Sequence, residues 1–269
     1  MTRAIPQAAQ DNVGAILDQL TAGLRSILRQ RLVGVYLYGS LITGDFDPGI
    51  SDIDLVVVIA EELDEASFKA LHQLHQQVVE RYPDWDDRLE LAYISRLALR
   101  AFRRQHSTIG IISPGEPFHL LRAGEDWLIS WYALRKDGLA LVGPTIQSLL
   151  HEIPAPDYLQ AVDEHIRNYR DSVKKPHNKS ALSYIALTVA RGAYTLCHRR
   201  ATSKVKAAQW AIRRYPQWAE LLESALRWRA NPDCDLRSAE QIRPEVADFV
   251  NDMLSRLSPV DSTPDGFTR

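Results

Sequence analysis

The sequence has few cysteines and no long apolar run, and each shortage excludes a class of protein. Cys197 and Cys234 are the only cysteines among 269 residues, too few for the disulfide framework of a small secreted domain. Neither belongs to a C-x-x-C pair or a His cluster, so no zinc site is predicted. The longest apolar run, residues 55–60, is far shorter than the roughly 18 residues that a membrane-spanning helix needs.

A signal peptide and a strong charge imbalance are also missing. No apolar segment follows the charged N-terminus, so a cytoplasmic location is expected. The chain is 45% hydrophobic and 25% charged, with a formal net charge of −2, which is typical of a soluble globular protein. Its length allows two modest domains, each with its own core.

Residues 34–54, GVYLYGSLITGDFDPGISDID, carry the most informative pattern of the chain. A predicted apolar strand ends in a Gly-Ser pair, and a second predicted strand opens with Asp-Ile-Asp. Since side chains alternate along a strand, Asp52 and Asp54 are expected on one face, ~6–7 Å apart. Carboxylates at that spacing can share a hard cation such as Mg²⁺. An acidic turn before a buried strand is the plainer interpretation of Asp-x-Asp alone, but the combination with Gly-Ser is far less common.

Three further residues extend this pattern. Gly39 has no Cβ, so the backbone can come close to a ligand there. Ser40 can offer a hydroxyl and a main-chain N–H to a phosphate. Glu90 lies in a predicted strand at residues 88–95. A lone Glu in a short strand is usually solvated, but beside the two aspartates it becomes a candidate third carboxylate.

With these residues the chain resembles the nucleotidyltransferase superfamily that has a DNA polymerase β-like palm. Its members carry a Gly-Ser turn, an Asp-x-Asp pair and a third carboxylate on a later strand. Three later blocks resemble aminoglycoside O-adenylyltransferases of the streptomycin and spectinomycin type: GLALVGP (138–144), ALTVARGAYTL (186–196) and SKVKAAQWAIRRYP (203–216). The similarity covers roughly residues 20–230, with little to align between Glu90 and Asp126.

The resemblance implies an α+β fold, in which a palm with a mixed sheet flanked by helices precedes an all-helical domain. We expect the palm at residues 1–150, the helical domain at 151–257 and a disordered tail at 258–269. Hydrophobic periodicity predicts helices in both regions, near residues 12–31, 62–81, 157–173, 180–199, 203–214, 217–229 and 238–257. Residues 96–125 show no clear period, and Pro114 and Pro117 indicate a loop there.

The resemblance also implies a reaction, the Mg²⁺-dependent transfer of AMP from ATP to a hydroxyl of a small-molecule acceptor, as in the modification of aminoglycosides. Asp52, Asp54 and Glu90 would hold one or two Mg²⁺ ions. Glu90 would in addition take the proton of the attacking hydroxyl.

The implied nucleotide contacts are spread over both domains: Gly39, Ser40, Ser51, Asp126, Arg191 and Lys204. Lys204 stands at the family's Ser-Lys position and Arg191 at its arginine in a long helix. Taken singly, both would more often be solvated helix charges.

The charge pattern departs from what a polycationic acceptor requires. Residues 165–215 carry twelve Lys or Arg and one acid, whereas residues 43–90 carry thirteen acids and three basic residues. His177 and Ala181 occupy positions that are acidic in the family. A neutral or anionic acceptor is therefore open.

Two other functions stay open beside small-molecule transfer. The basic stretch 165–215 allows a macromolecular acceptor, such as an RNA end or a protein hydroxyl, although basic helices are more often merely solvated. An inactive nucleotide-binding regulator is the third hypothesis, but such proteins usually lose a carboxylate and none is missing here. No membrane partner is expected.

Overall fold

The computed structural model of the chain describes residues 10–257. The chain divides into two compact units, Met1–Ile153 and Pro154–Arg269. The predicted disordered tail lies outside the described residues.

The first unit is built on a six-stranded mixed sheet with helices packed against it. Its strands are β1 (Leu32–Tyr38), β2 (Ile53–Ile59), β3 (Leu89–Ser95), β4 (Ser107–Ser113), β5 (Glu116–Ala123) and β6 (Leu139–Val142). Its helices are α1 (Gln10–Leu28), the four-residue α2 (Ser40–Thr43), α3 (Glu65–Arg81), α4 (Arg96–Ala101) and α5 (Leu128–Asp137).

The order of strands places β2 in the interior of the sheet. The order is β5-β4-β3-β2-β1-β6, and β2 and β3 run parallel while the other neighbours run antiparallel. Five consecutive residues of β2, at 55–59, are buried, as expected for a strand covered on both faces. Helix α3 provides the crossover that a parallel pair requires.

Helices α1 and α3 pack closely against each other as well as against the sheet. A Cβ at Gly23 of α1 would collide with the side chain of Leu74 in α3, so glycine permits this approach. The start of α3 is fixed by Asp64, whose carboxylate accepts the Ser67 N–H at 2.7 Å. Arg31 donates to the same carboxylate at 2.6 Å, which ties the end of the α1 segment to the start of α3.

The segment that showed no clear period contains a helix and a β-hairpin. Strands β4 and β5 are joined by a turn at Pro114-Gly115, where Gly115 has φ 80°. Proline followed by a glycine with positive φ is the pattern of a type II turn. The loop indicated by Pro114 is thus a tight reversal inside the sheet rather than a long connection.

The second unit is helical throughout the described residues. Its helices are α6 (Ala155–Ser172), α7 (Lys179–His198), α8 (Lys204–Arg214), α9 (Ala219–Ala230) and α10 (Ala239–Ser255). Helix α7 is central, since it contacts each of the other four. A Cβ at Gly192 would meet the Ile166 side chain, so α6 and α7 also approach closely. The mixed sheet followed by helices confirms the predicted α+β class.

We find no helix between residues 10 and 257 that is long and apolar enough to cross a membrane.

Candidate active site

Three neighbouring strands bring three polar side chains into one row. In the β2–β3 register Asp54 is opposite Glu90, and in the β1–β2 register Tyr38 is opposite Asp54. Adjacent strands lie roughly 4.8 Å apart, so the two carboxylates are neighbours although 36 residues separate them in the sequence. Both carboxylates are half-buried.

Tyr38 contacts this carboxylate pair directly. Its hydroxyl donates to Glu90 Oε1 at 3.3 Å. Burial first, and then the negative charges of Glu90 and Asp54, raise the pKa of Tyr38 well above its ordinary value. The phenol therefore stays protonated and acts as a hydrogen-bond donor. Sequence reasoning treated Tyr38 only as part of an apolar strand, although its place before Gly-Ser could have indicated a site residue.

Glycine is required at position 39 by the backbone conformation and by the neighbouring Asp54 carboxylate. Its φ and ψ are 71° and −148°, a region that is almost restricted to glycine. A Cβ at this position would overlap the Asp54 carboxylate. The Gly39 carbonyl accepts the N–H groups of Ile42 and Thr43 at 3.2 and 3.1 Å, so the turn leads directly into α2, which begins at Ser40.

The loop before β2 is held by hydrogen bonds of the Ser51 and Arg88 side chains. Ser51 is 2% exposed, and its hydroxyl accepts the Asp47 N–H at 2.9 Å. Arg88 donates to the carbonyl oxygens of Ser51 and Pro48 at 2.6 and 2.8 Å, and its guanidinium lies 4.3 Å from the Trp85 ring centroid. Ser51 therefore helps to shape the loop, and a contact with a triphosphate stays a prediction.

Asp52 lies one residue before β2, which begins at Ile53. Ile53 is fully buried while Asp52 and Asp54 are partly exposed, in agreement with the expected alternation. Between residues 10 and 257, no group of three or more His, Cys, Asp or Glu side chains is arranged to hold a metal ion.

The neighbouring carboxylates Asp54 and Glu90 nevertheless suit Mg²⁺. This cation is usually bound by one or two carboxylates together with water and substrate phosphates. The pair supplies the hard oxygen donors that such a site needs.

Asp126 is not brought into this row. It lies in a short turn after β5, where its carboxylate accepts the Gly124 N–H at 2.7 Å and lies 3.8 Å from His106 Nε2. Strand β5 is three positions from β2 in the sheet order. These contacts of Asp126 indicate a role in the turn, and a nucleotide contact stays a prediction.

In the helical unit, Arg191 and Lys204 adjoin one aromatic cluster. Lys204 Nζ lies 4.2 Å from the ring centroid of Tyr184, and burial first, and then Tyr184, raise the pKa of Tyr169. Desolvation first, and then the positive charge of Arg191, lower the pKa of His165, which packs against Tyr169. The two predicted cationic contacts therefore share one surface of the helical unit.

Comparison with protein families assigns each unit separately. Residues 21–107 match the family model described as nucleotidyltransferase domain. Residues 148–256 match the model described as aminoglycoside adenylyltransferase, C-terminal domain.

Curated relatives extend over nearly the whole chain. The aminoglycoside (3'') (9) adenylyltransferase of Klebsiella pneumoniae is 24% identical over 268 residues, covering 93% of this chain and 98% of the relative. The spectinomycin 9-adenylyltransferase of Staphylococcus aureus (strain Mu50) is 26% identical over 225 residues, covering 79% of this chain and 83% of the relative.

A solved structure shares the fold. The spectinomycin adenyltransferase of Enterococcus faecialis, crystallised with ATP and spectinomycin, superposes with a TM-score of 0.73 at 19% identity, covering 90% of this chain and 99% of that one. The chain is therefore a nucleotidyltransferase enzyme of the adenylyltransferase type, in which a nucleotidyltransferase domain precedes the C-terminal domain of the aminoglycoside adenylyltransferases.

Proposed function

We propose that the protein transfers AMP from ATP to a hydroxyl group of an aminoglycoside-type antibiotic. The observation that carries the proposal is the pair of neighbouring carboxylates, Asp54 and Glu90, beside the Gly39 turn. The relatives support the reaction, since they are named as aminoglycoside and spectinomycin adenylyltransferases and align along most of their length. The chemistry of nucleotidyl transfer requires oxygen ligands for a cation and a base for the acceptor, and this pair offers both.

In the proposed reaction the acceptor oxygen attacks the α-phosphorus of ATP. A bond forms between these two atoms while the bond from the α-phosphorus to the pyrophosphate oxygen breaks, and pyrophosphate leaves. Glu90 accepts the proton of the acceptor hydroxyl. Tyr38 holds the Glu90 carboxylate in position through its hydrogen bond.

Asp54 and Glu90 would hold Mg²⁺, and Asp52, one residue before β2, is the third ligand proposed. The ion would neutralise charge on the α-phosphate and on the leaving group. Glycine at position 39 leaves the space that the Asp54 carboxylate occupies. Positioning of the substrates and charge neutralisation would then supply most of the rate acceleration, because phosphoryl transfer needs little covalent participation by the protein.

Groups that could bind phosphate are proposed in each unit by itself. Ser40, at the start of α2, offers its N–H and hydroxyl to a phosphate. Arg191 and Lys204 supply positive charge in the helical unit, where they adjoin the same aromatic cluster. Charge-assisted hydrogen bonds from such groups are about twice as strong as neutral ones.

Two positions that are acidic in the family resembled, His177 and Ala181, carry no negative charge in this chain. His177 is already bonded to the Ser172 carbonyl, with Nε2 and the oxygen 2.8 Å apart, and Ala181 has no polar side chain. Neither residue supplies the negative charge that a polycation would need. Acceptors with few charges therefore belong in any test beside streptomycin and spectinomycin.

A cytoplasmic location is part of the proposal. ATP is the donor, and Cys197 and Cys234 are both free, as is usual for proteins of a reducing compartment.

The deciding experiment follows a radioactive label from the α-phosphate of ATP onto a panel of spectinomycin, streptomycin and neutral polyols, with Mg²⁺ present. We expect labelled AMP on spectinomycin or streptomycin, and a loss of at least 1,000-fold in Asp54→Asn, because the carboxylate that holds the cation is removed. Asp84→Asn, which changes an exposed acid of the same unit, should retain full activity. Transfer by Asp54→Asn at the wild-type rate would contradict the site, and label on neutral polyols alone would contradict the proposed acceptor.

A further inference from the structure

A cavity of about 480 Å³ lies within the helical unit, between the second half of α7, the segment 199–203 and α8. We call it the α7–α8 cavity. Its volume falls in the range of roughly 300–1,000 Å³ that is typical of small-molecule sites. Neither Arg191 nor Lys204, the helical-unit residues proposed for ATP, lines it.

The lining of the cavity is positively charged. Arg200, Lys206 and Arg213 are three of its nine lining residues, and none of the nine is Asp or Glu. Arg200 donates two side-chain hydrogen bonds to the neutral Tyr194 hydroxyl, from Nε at 3.1 Å and from Nη2 at 2.8 Å. Within residues 10–257, no carboxylate is paired with Arg200 or Arg213. A concave surface with one sign of charge concentrates the opposite sign, so the cavity selects anions.

Aromatic rings form the other part of the lining. The rings of Tyr194 and His198 are stacked, with centroids 4.1 Å apart and an interplanar angle of 15°. Trp210 meets both rings edge-on, at 5.5 and 5.4 Å. His198 is exposed and Trp210 is half-buried, so flat ring surface is accessible beside the basic groups. Nucleobases stack on such surfaces without strong preference among the bases.

We propose that the α7–α8 cavity binds a nucleoside phosphate, either as a free nucleotide or as one unit of a single-stranded nucleic acid. The phosphate is held by Arg200, Arg213 and Lys206, since guanidinium groups bind phosphate oxygens in a bidentate way. The base lies against Trp210 and His198. Tyr194 positions Arg200 through its hydroxyl. This binding site is additional to the proposed transfer reaction and does not depend on it.

The first test measures AMP binding by isothermal titration calorimetry, in EDTA, to the wild type and to the double variant Arg200→Ala, Arg213→Ala. We expect the double variant to bind AMP, or a labelled single-stranded RNA octamer, at least tenfold more weakly. The matched control is Arg170→Ala, Arg243→Ala, which removes one exposed and one half-buried arginine of the same unit that do not line the cavity. Control and wild type should agree within twofold.

The two sources of the phosphate are separated by comparing the probes at two salt concentrations. An octamer that binds at least tenfold more tightly than AMP, with a steeper salt dependence, identifies the nucleic acid. Equal affinities identify the free nucleotide. The proposal is overturned if wild type binds neither probe, or if the cavity variant binds both as well as the wild type does.

Tyr194→Phe provides a milder test of the same geometry. It keeps the ring and removes the hydroxyl that holds Arg200, so a three- to tenfold loss of affinity is expected. Unchanged affinity would refute the positioning of Arg200. Because binding is measured without turnover, the two proposals are tested separately. A negative binding result would not contradict the proposed AMP transfer, and a negative transfer assay would not contradict binding in the α7–α8 cavity.

Discussion

At the scale of single residues, Tyr38 is predicted to hold the Glu90 carboxylate in position. Tyr38 remains a phenol because burial and two carboxylates raise its pKa, so its hydroxyl stays available as a donor to Glu90 Oε1. A base that is already held in place meets the acceptor proton in the right geometry more often.

Tyr38→Phe should therefore lower kcat three- to tenfold, because the Glu90 carboxylate loses the donor that positions it. The measurement is kcat with ATP and acceptor both saturating. Tyr132→Phe, which changes a half-buried tyrosine on α5, is the control and should retain the wild-type kcat. An unchanged kcat in Tyr38→Phe would contradict the role of Tyr38.

Gly39→Ala should abolish most activity and destabilise the first unit by about 1–3 kcal/mol. The new Cβ would overlap the Asp54 carboxylate. In addition, alanine is unfavourable at the φ and ψ of this position. Gly44→Ala is the informative control, because Gly44 also has positive φ (79°) but nothing within 4 Å of an added Cβ. Turnover that falls equally in both variants would show that backbone strain, and not the carboxylate, is responsible.

At the scale of elements, the strands that form the site were largely predictable and their register was not. Short apolar runs predicted β1 and β2, and alternation predicted β3, because these patterns depend on local sequence. The row of Tyr38, Asp54 and Glu90 depends on how three strands are aligned, which no single segment encodes. For the same reason the β4–β5 hairpin was missed, since its strands become recognisable only when paired.

The loop before β2 depends on a side chain from outside it, and Arg88→Met tests this dependence. Methionine keeps packing against Trp85 but loses the hydrogen bonds to Ser51 and Pro48. We expect KM for ATP to rise about threefold or more, with a stability loss of about 1–3 kcal/mol from carbonyl groups left without donors.

The control for this variant is Arg81→Met, at the exposed end of α3, and it should change neither quantity. If Arg88→Met binds ATP normally, the loop is held by its own hydrogen bonds, such as Asp47 to Ser51.

At the scale of the whole molecule, a histidine in the core of the first unit contributes to the response to acid. His75 is 3% exposed, its Nε2 lies 2.7 Å from the Tyr93 hydroxyl, and its ring packs edge-on against Phe118. Burial, followed by the charge of His72, lowers the pKa of His75 to about 3. The unfolded chain binds a proton there near pH 6.5, so the unfolded state gains protons before the folded state does.

Stability from His75 is therefore complete above about pH 6.5 and falls by about 1.4 kcal/mol per pH unit below it, until about pH 3. Between pH 7 and pH 5 this amounts to about 2 kcal/mol. His75→Gln should flatten that dependence, whereas His151→Gln, at an exposed histidine, should not. Chemical denaturation at pH 5, 6 and 7 measures the slope, and equal slopes for wild type and His75→Gln would contradict the assignment.

The parallel pairing of β2 and β3 has a consequence for synthesis of the chain on the ribosome. Strands β1 and β2 can pair as soon as both have emerged, which places Tyr38 opposite Asp54 early. Glu90 joins them only after the whole of α3 has followed and crossed the sheet, a contact of long sequence separation that forms slowly. A nascent chain thus passes through a period in which Asp54 has emerged while Glu90 is still inside the exit tunnel, and a chain that stops in α3 would lack Glu90 and with it the carboxylate pair.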